Sequence, residues 1–140
     1  MLGISKRIDY ALLLLAALAK SDLAKAKKKA RQFVSLKAVA KENKLPYKFL
    51  SQIAVDLSEA ELLESREGSK GGYRLAKKAN KISVSHVMDA VETKSGDHVC
   101  VRGDDCQCGN FCVRDEVMEP MSEAVKRVMG KRTIADLISD

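Results

Sequence analysis

The chain has 140 residues, 46% of them apolar and only 4% aromatic, with a formal net charge of +6. That length supports one core-bearing domain and excludes two full-sized ones. Its main apolar run, residues 11–19, falls short of the roughly 20 residues that span a bilayer and is followed by no small-residue cleavage site, so no membrane partner and a cytoplasmic location are expected.

The charge is unevenly placed. Residues 1–81 hold 18 Lys/Arg against 8 Asp/Glu, whereas residues 82–140 hold 7 against 11. A basic front half suits a polyanion, most simply nucleic acid, although it would also serve as a plain solvated surface. No nucleophile–base pair or phosphate-binding loop is visible, so no enzymatic activity is expected.

Ser5 is placed to cap a helix beginning near Lys6. Ile8, Leu12, Leu15 and Leu18 or Ala19 recur at the spacing of a buried face. Leu13, Leu14 and Ala16 add apolar surface on other sides, a pattern for a helix packed against both its own domain and a partner subunit. Residues 22–31 carry Lys25, Lys27, Lys28, Lys29 and Arg31 without an apolar stripe and read as a solvated connection.

Phe33, Val34 and Ser35 form a short extended piece ending in an N-cap. A helix over 36–43 presents Leu36, Val39 and Ala40 to a core, Asn43, Lys44 and Leu45 turn the chain, and Pro46 occupies the first position of a second helix. There Phe49, Leu50, Ile53, Ala54 and Leu57 form the buried stripe. Two short helices around a tight turn make a helix-turn-helix, whose second helix enters the major groove. Tyr47, Lys48, Ser51 and Gln52 are the candidate base or phosphate contacts, and a Gln suits adenine.

Strands over 62–66 and 73–76 flank a glycine-rich turn, 67–72, and this hairpin completes a winged helix. Arg66, Lys70 and Arg74, beside Lys77 and Lys78, are candidates for phosphate or minor-groove contact. An amphipathic helix over 82–92 follows, with Val84, Val87, Met88 and Val91 inward.

All four cysteines fall within residues 100–112, C-V-R-G-D-D-C-Q-C-G-N-F-C. Cys100, Cys106 and Cys112 are six apart, with Gly103 and Gly109 midway. Steps of six on an α-helix would scatter the thiols by about 120° each. The segment therefore reads as a loop whose glycines allow the sulfurs to converge. Converging thiolates hold soft metals or iron–sulfur clusters. The spacing of Cys106, Cys108 and Cys112 also suits zinc, so a zinc or thiol-based switch is the alternative. An iron–sulfur electron carrier is a third reading, disfavoured by the winged helix.

Over 113–129, Val117, Met121, Ala124, Val125 and Val128 recur at spacings of three and four, a natural dimer surface that Pro120 kinks or restarts. Gly130 ends it, and Thr133 caps a last helix through Ile134, Leu137 and Ile138. The expected fold is mainly α with a small β wing, in one compact unit. Residues 1–92 form a winged helix-turn-helix DNA-binding domain, 93–115 a cysteine-rich cluster-binding loop, and 113–140 a dimerisation helix and C-terminal tail.

The helix-turn-helix, the wing S-R-E-G-S-K-G-G-Y-R-L, the C-x5-C-x5-C loop and the terminal T-I-A-D-L together resemble the Rrf2 family of bacterial transcription regulators over essentially the whole chain. The resemblance implies a homodimer that binds palindromic promoter sites in double-stranded DNA, most simply as a repressor. It also implies a [2Fe-2S] or [4Fe-4S] cluster on Cys100, Cys106 and Cys112 that sets DNA affinity in response to iron, nitric oxide or redox state. Some members complete the site with a His three residues after the last cysteine; Asp115 stands there in this chain. Nitric-oxide-sensing members use an Asp of the partner's first helix, which matches Asp9. Asp9 is therefore the first candidate for fourth ligand, with Asp115 and Cys108 as alternatives. Glu67 stands where many members carry Arg, which shifts the expected wing contact to Arg66 or Lys70.

Overall fold

Ser5 accepts a hydrogen bond from the Ile8 amide at 3.4 Å and so starts the first helix of the computed structural model, which describes residues 5–25, 32–92, 112 and 114–139. This helix, α1 (Lys6–Ala24), buries Ile8, Ala11, Leu14, Leu15, Leu18 and Ala19. The buried face is wider than the expected stripe. Ala11 and Leu14 are fully covered while Leu12 is only partly so, because α1 packs against several elements, α3, α4 and α6 among them. It also extends into the expected connection, since Leu23 and Ala24 favour helix without needing a core.

The second helix, α2 (Leu36–Glu42), starts from Ser35 in an extended N-cap conformation whose side chain makes no capping bond. The Asn43 side chain donates from Nδ2 to the Val39 carbonyl at 2.9 Å, its backbone amide donates to the same carbonyl at 3.1 Å, and Lys44 takes a left-handed φ of 53°. These bonds turn the chain into α3 (Tyr47–Glu59). Pro46 is the N-cap rather than the first helical residue, so α3 starts one residue later than expected. Leu50, Ile53, Ala54 and Leu57 are buried as expected, but Phe49 is 56% exposed. It lies on the inward side by helical spacing, yet in the first turn its neighbour is the Tyr10 ring of α1, at 6.5 Å between centroids, rather than the core.

The strands β1 (Leu63–Arg66) and β2 (Gly72–Leu75) pair antiparallel in the register Leu63↔Leu75, Glu64↔Arg74, Ser65↔Tyr73 and Arg66↔Gly72. Leu63 and Leu75 point inward. Val34 adds a single-residue bridge to Tyr73, with both N–H···O bonds at 2.8 Å.

The helix α4 (Val84–Glu92) buries Val84, Val87, Met88, Ala90 and Val91. A π-helical turn (Arg114–Met118) leads into α5 (Glu119–Met129). Pro120 sits in the first turn of α5, where a missing N–H is tolerated, so it restarts the helix. No residue of α5 is buried within the chain. The last helix, α6 (Ile134–Ile138), opens with a capping box between Thr133 and Asp136. The amide of Val84 donates to Arg132 and that of Ile134 to Ile82, both at 2.9 Å, which docks α6 under α1 with Ile134 buried. Among the described residues, no helix is long and apolar enough to cross a membrane.

Candidate nucleic-acid interface and sensor segment

Helical spacing puts Tyr47 and Ser51, and Lys48 and Gln52, four residues apart on adjoining strips of α3. Tyr47 is 46% exposed, and Lys48 and Gln52 are exposed too. Ser51 is half-buried, and its hydroxyl donates to the Lys48 carbonyl at 2.8 Å, leaving its lone pairs to accept. Lys37, from α2, places its ammonium 5.7 Å from the Tyr47 ring centroid and adds positive charge beside this strip. The strip therefore offers an amide, a phenol and cations where a helix-turn-helix meets bases and phosphates.

On the wing, Arg66 and Lys70 are exposed and Arg74 is half-buried. The antiparallel register puts Glu64, Arg66 and Arg74 on one face of the hairpin. Arg74 Nε donates to Glu64 Oε2 at 2.6 Å. Both guanidiniums also lie over the Phe33 ring, Arg74 at 4.5 Å and Arg66 at 5.9 Å from its centroid. Neither contact is visible in the sequence, where Phe33 reads as one more apolar residue of an extended piece.

A second relationship escapes periodicity altogether. Arg7 of α1 pairs with Asp56 of α3 and donates from Nε to the Val91 carbonyl of α4 at 3.3 Å. One side chain thus joins α3 to the end of α4. On the other flank, Lys126 of α5 pairs with Asp89 of α4 at 2.7 Å. The hydrogen bond that Lys126 donates to the Asp89 carboxylate holds its ammonium above its ordinary pKa against a smaller opposing desolvation.

Of the candidate cluster ligands, Cys112 is half-buried with a free thiol, and Asp9 is exposed in the first turn of α1. Asp115 falls in the π-helical turn. Cys100, Cys106 and Cys108 lie outside the described residues. Among the described residues, no three His, Cys, Asp or Glu side chains converge to hold a metal. The donor chemistry of the chain nevertheless suits an iron–sulfur group: three or four thiols with a carboxylate to complete the site.

The family model for Rrf2, described as an iron-dependent transcriptional regulator, matches residues 4–140. The HTH-type transcriptional regulator IscR of Cereibacter sphaeroides is 43% identical over 77 residues, which are 55% of this chain and half the length of that protein. The IscR of Yersinia pestis is 28% identical over 107 residues, 76% of this chain and 65% of that protein. Among solved structures, T. potens IscR superposes with a TM-score of 0.71 at 26% identity, covering 98% of this chain and 86% of the other. CymR, the global cysteine regulator of B. subtilis, superposes at 0.69 and 26% identity over the whole of both chains.

Proposed function

The chain belongs to the Rrf2 family of transcriptional regulators, and from that premise we propose that it binds a palindromic promoter site as a homodimer whose DNA affinity is set by an iron–sulfur cluster. The observation that carries the DNA reading is the exposed polar strip of α3, Tyr47, Lys48 and Gln52, followed by a wing that bears Arg66, Lys70 and Arg74. The N-terminal residues of α3 read the major groove, and the wing cations meet the backbone or minor groove. Bound across a promoter, the dimer represses.

Cys100, Cys106 and Cys112 hold the cluster, with Asp9 of the partner subunit completing the site ahead of Asp115 and Cys108. Thiolates suit iron, and a carboxylate is the weakest-held of these donors. When bound, the cluster supplies a centre that iron supply, nitric oxide or oxidants alter. The chain's own part is to couple that segment to α3. The cysteine segment lies between α4 and α5, and Arg7 fastens the end of α4 to α3. A shift of the cysteine segment changes DNA binding only if the two states differ in their contacts here.

The four cysteines within residues 100–112 favour a second reading, in which the thiols themselves are the switch. Anaerobic purification, followed by selection of genomic fragments with the metal site loaded and stripped, separates the two. A coloured protein with iron and sulfide, and an enriched palindrome whose binding changes on stripping, is the expected result. A colourless protein whose DNA binding follows thiol oxidation supports the second reading, and one tight zinc per chain a zinc switch. The absence of any enriched palindrome in either state would overturn the DNA reading itself.

A further inference from the structure

We infer that Phe33 is a positioning residue of the wing: its ring holds the guanidiniums of Arg66 and Arg74 ready to meet the sugar–phosphate backbone of duplex DNA. The inference rests on the DNA-binding reading and deepens it.

The geometry starts from Gly72. Its φ is +137°, and a Cβ there would lie 2.1 Å from the Val34 carbonyl oxygen. Only glycine lets the chain before α2 approach the wing this closely. That approach is fixed by the two 2.8 Å bonds between Val34 and Tyr73. Phe33, one residue earlier, is thereby delivered beside the hairpin face that carries Arg66 and Arg74. Opposite Arg66 the register places Gly72, so no cross-strand side chain competes for that guanidinium. The ring then lies within 6 Å of both cations.

The consequence is pre-organisation. An exposed arginine loses rotamer freedom on binding a phosphate, which lowers affinity. A guanidinium resting on a ring has lost part of that freedom already, and the contact uses its face rather than its in-plane N–H donors. Arg74 is held twice, by the ring and by Glu64. Arg66, which lies toward the exposed turn of the wing, is steadied by the ring while its donors stay accessible.

The test is Phe33→Leu, which keeps apolar bulk but removes the ring, with Phe33→Tyr as the variant that restores it. In the full-length protein without DNA, the Arg66 and Arg74 Nε–H resonances should lose their ring-current shifts in the leucine variant and keep them in the tyrosine variant. Binding to a duplex selected with the wild type should weaken about five- to tenfold in the leucine variant. The slope of log K against log salt should become shallower by about one phosphate contact. The tyrosine variant should behave as wild type in both. Weaker binding at an unchanged slope would reduce Phe33 to a packing residue and overturn the proposal, as would wild-type binding by the leucine variant. If leucine lowers the melting temperature, Phe33→Met replaces it, since methionine fills irregular apolar space. A wild type that binds no duplex, with ring-current shifts present, would instead overturn the DNA reading.

Discussion

Arg7 and Asp56, 49 residues apart in sequence, form an ion pair whose carboxylate is only 12% exposed, and the same guanidinium donates to the Val91 carbonyl. A pair this far from bulk water leaves a costly charge behind when one partner is removed. Because the Arg7 side chain is one-third exposed, the cost is smaller than for a fully buried pair. Arg7→Met should therefore lower unfolding free energy by about 1–3 kcal/mol, and Asp56→Asn by about 1–2 kcal/mol. In urea titrations the double variant should cost less than the two together; strict additivity would show that the pair contributes nothing.

Much of the fold was legible because its signals are local. Ser5 and Thr133 announce helix starts, Pro120 announces a restart, and the spacing of Leu50, Ile53, Ala54 and Leu57 announces a buried face. What escaped depends on distant partners. Phe49 has the spacing of a core residue but meets Tyr10 at the edge, since periodicity gives the side of a helix and not what stands opposite. Arg7 and Phe33 likewise acquire roles from residues 49 and 33–41 positions away. The polar side of α3 follows from local spacing for the opposite reason: among the described residues Tyr47, Lys48 and Gln52 stay exposed, so no distant partner is needed to place them.

The cysteines divide by pattern rather than by place. Cys108 falls outside the six-residue spacing of Cys100, Cys106 and Cys112. Cys108→Ala should retain the visible absorbance of anaerobically prepared protein, whereas Ala at any of the other three should abolish it. Asp9→Ala should leave the thiol set intact but hasten cluster loss to a chelator by about tenfold or more, as expected when a ligand is removed from a site that outer-shell changes alone alter 10–100-fold. If Asp115→Ala has that effect instead, the partner's α1 does not supply the fourth ligand.

Gly72 makes the attachment of the wing to the chain before α2 sensitive to one methyl group. Gly72→Ala brings both an unfavourable φ and a 2.1 Å clash with a backbone oxygen, which no flexible side chain can relieve. A loss of about 2–4 kcal/mol is expected if the bridge persists. If the bridge breaks, the amides of Val34 and Tyr73 should lose their protection from hydrogen exchange while Leu50 and Ile53, in the core, keep theirs.

Asp136 accepts from the Thr133 backbone and hydroxyl, and these bonds hold its carboxyl below the ordinary 3.8. A carboxyl depressed in the folded state contributes its stability above the unfolded pKa and loses it as pH falls through the folded one. The α6 cap should thus be intact at neutral pH and weaken only in acid, below about pH 4. The Asp136 carboxyl carbon should titrate below 3.8 by NMR, and in Asp136→Asn the Ile134 amide should no longer change its exchange rate over that range.

The exposed stripe of α5 sets the final expectation: Val125 and Met129 pack partly against the core, but the apolar side chains on the helix's other side do not, and they need a reason. Val128 is 63% exposed, and Met121 and the preceding Val117 are also exposed. In the homodimer we propose, these side chains face the partner. Introducing a charge there should therefore separate subunits without unfolding either one. Val128→Glu and Met121→Glu should sediment as monomers at concentrations where the wild type is dimeric, with monomer stability changed by about 0.5 kcal/mol or less. They should also lose affinity for a full palindrome far more than for a half-site. Persistent dimers would move the interface from α5 to α1, where Leu13 and Leu23 are exposed as well. Parallel variants at those two leucines decide between the helices, because each pair is exposed in the single chain and neither is needed for its core.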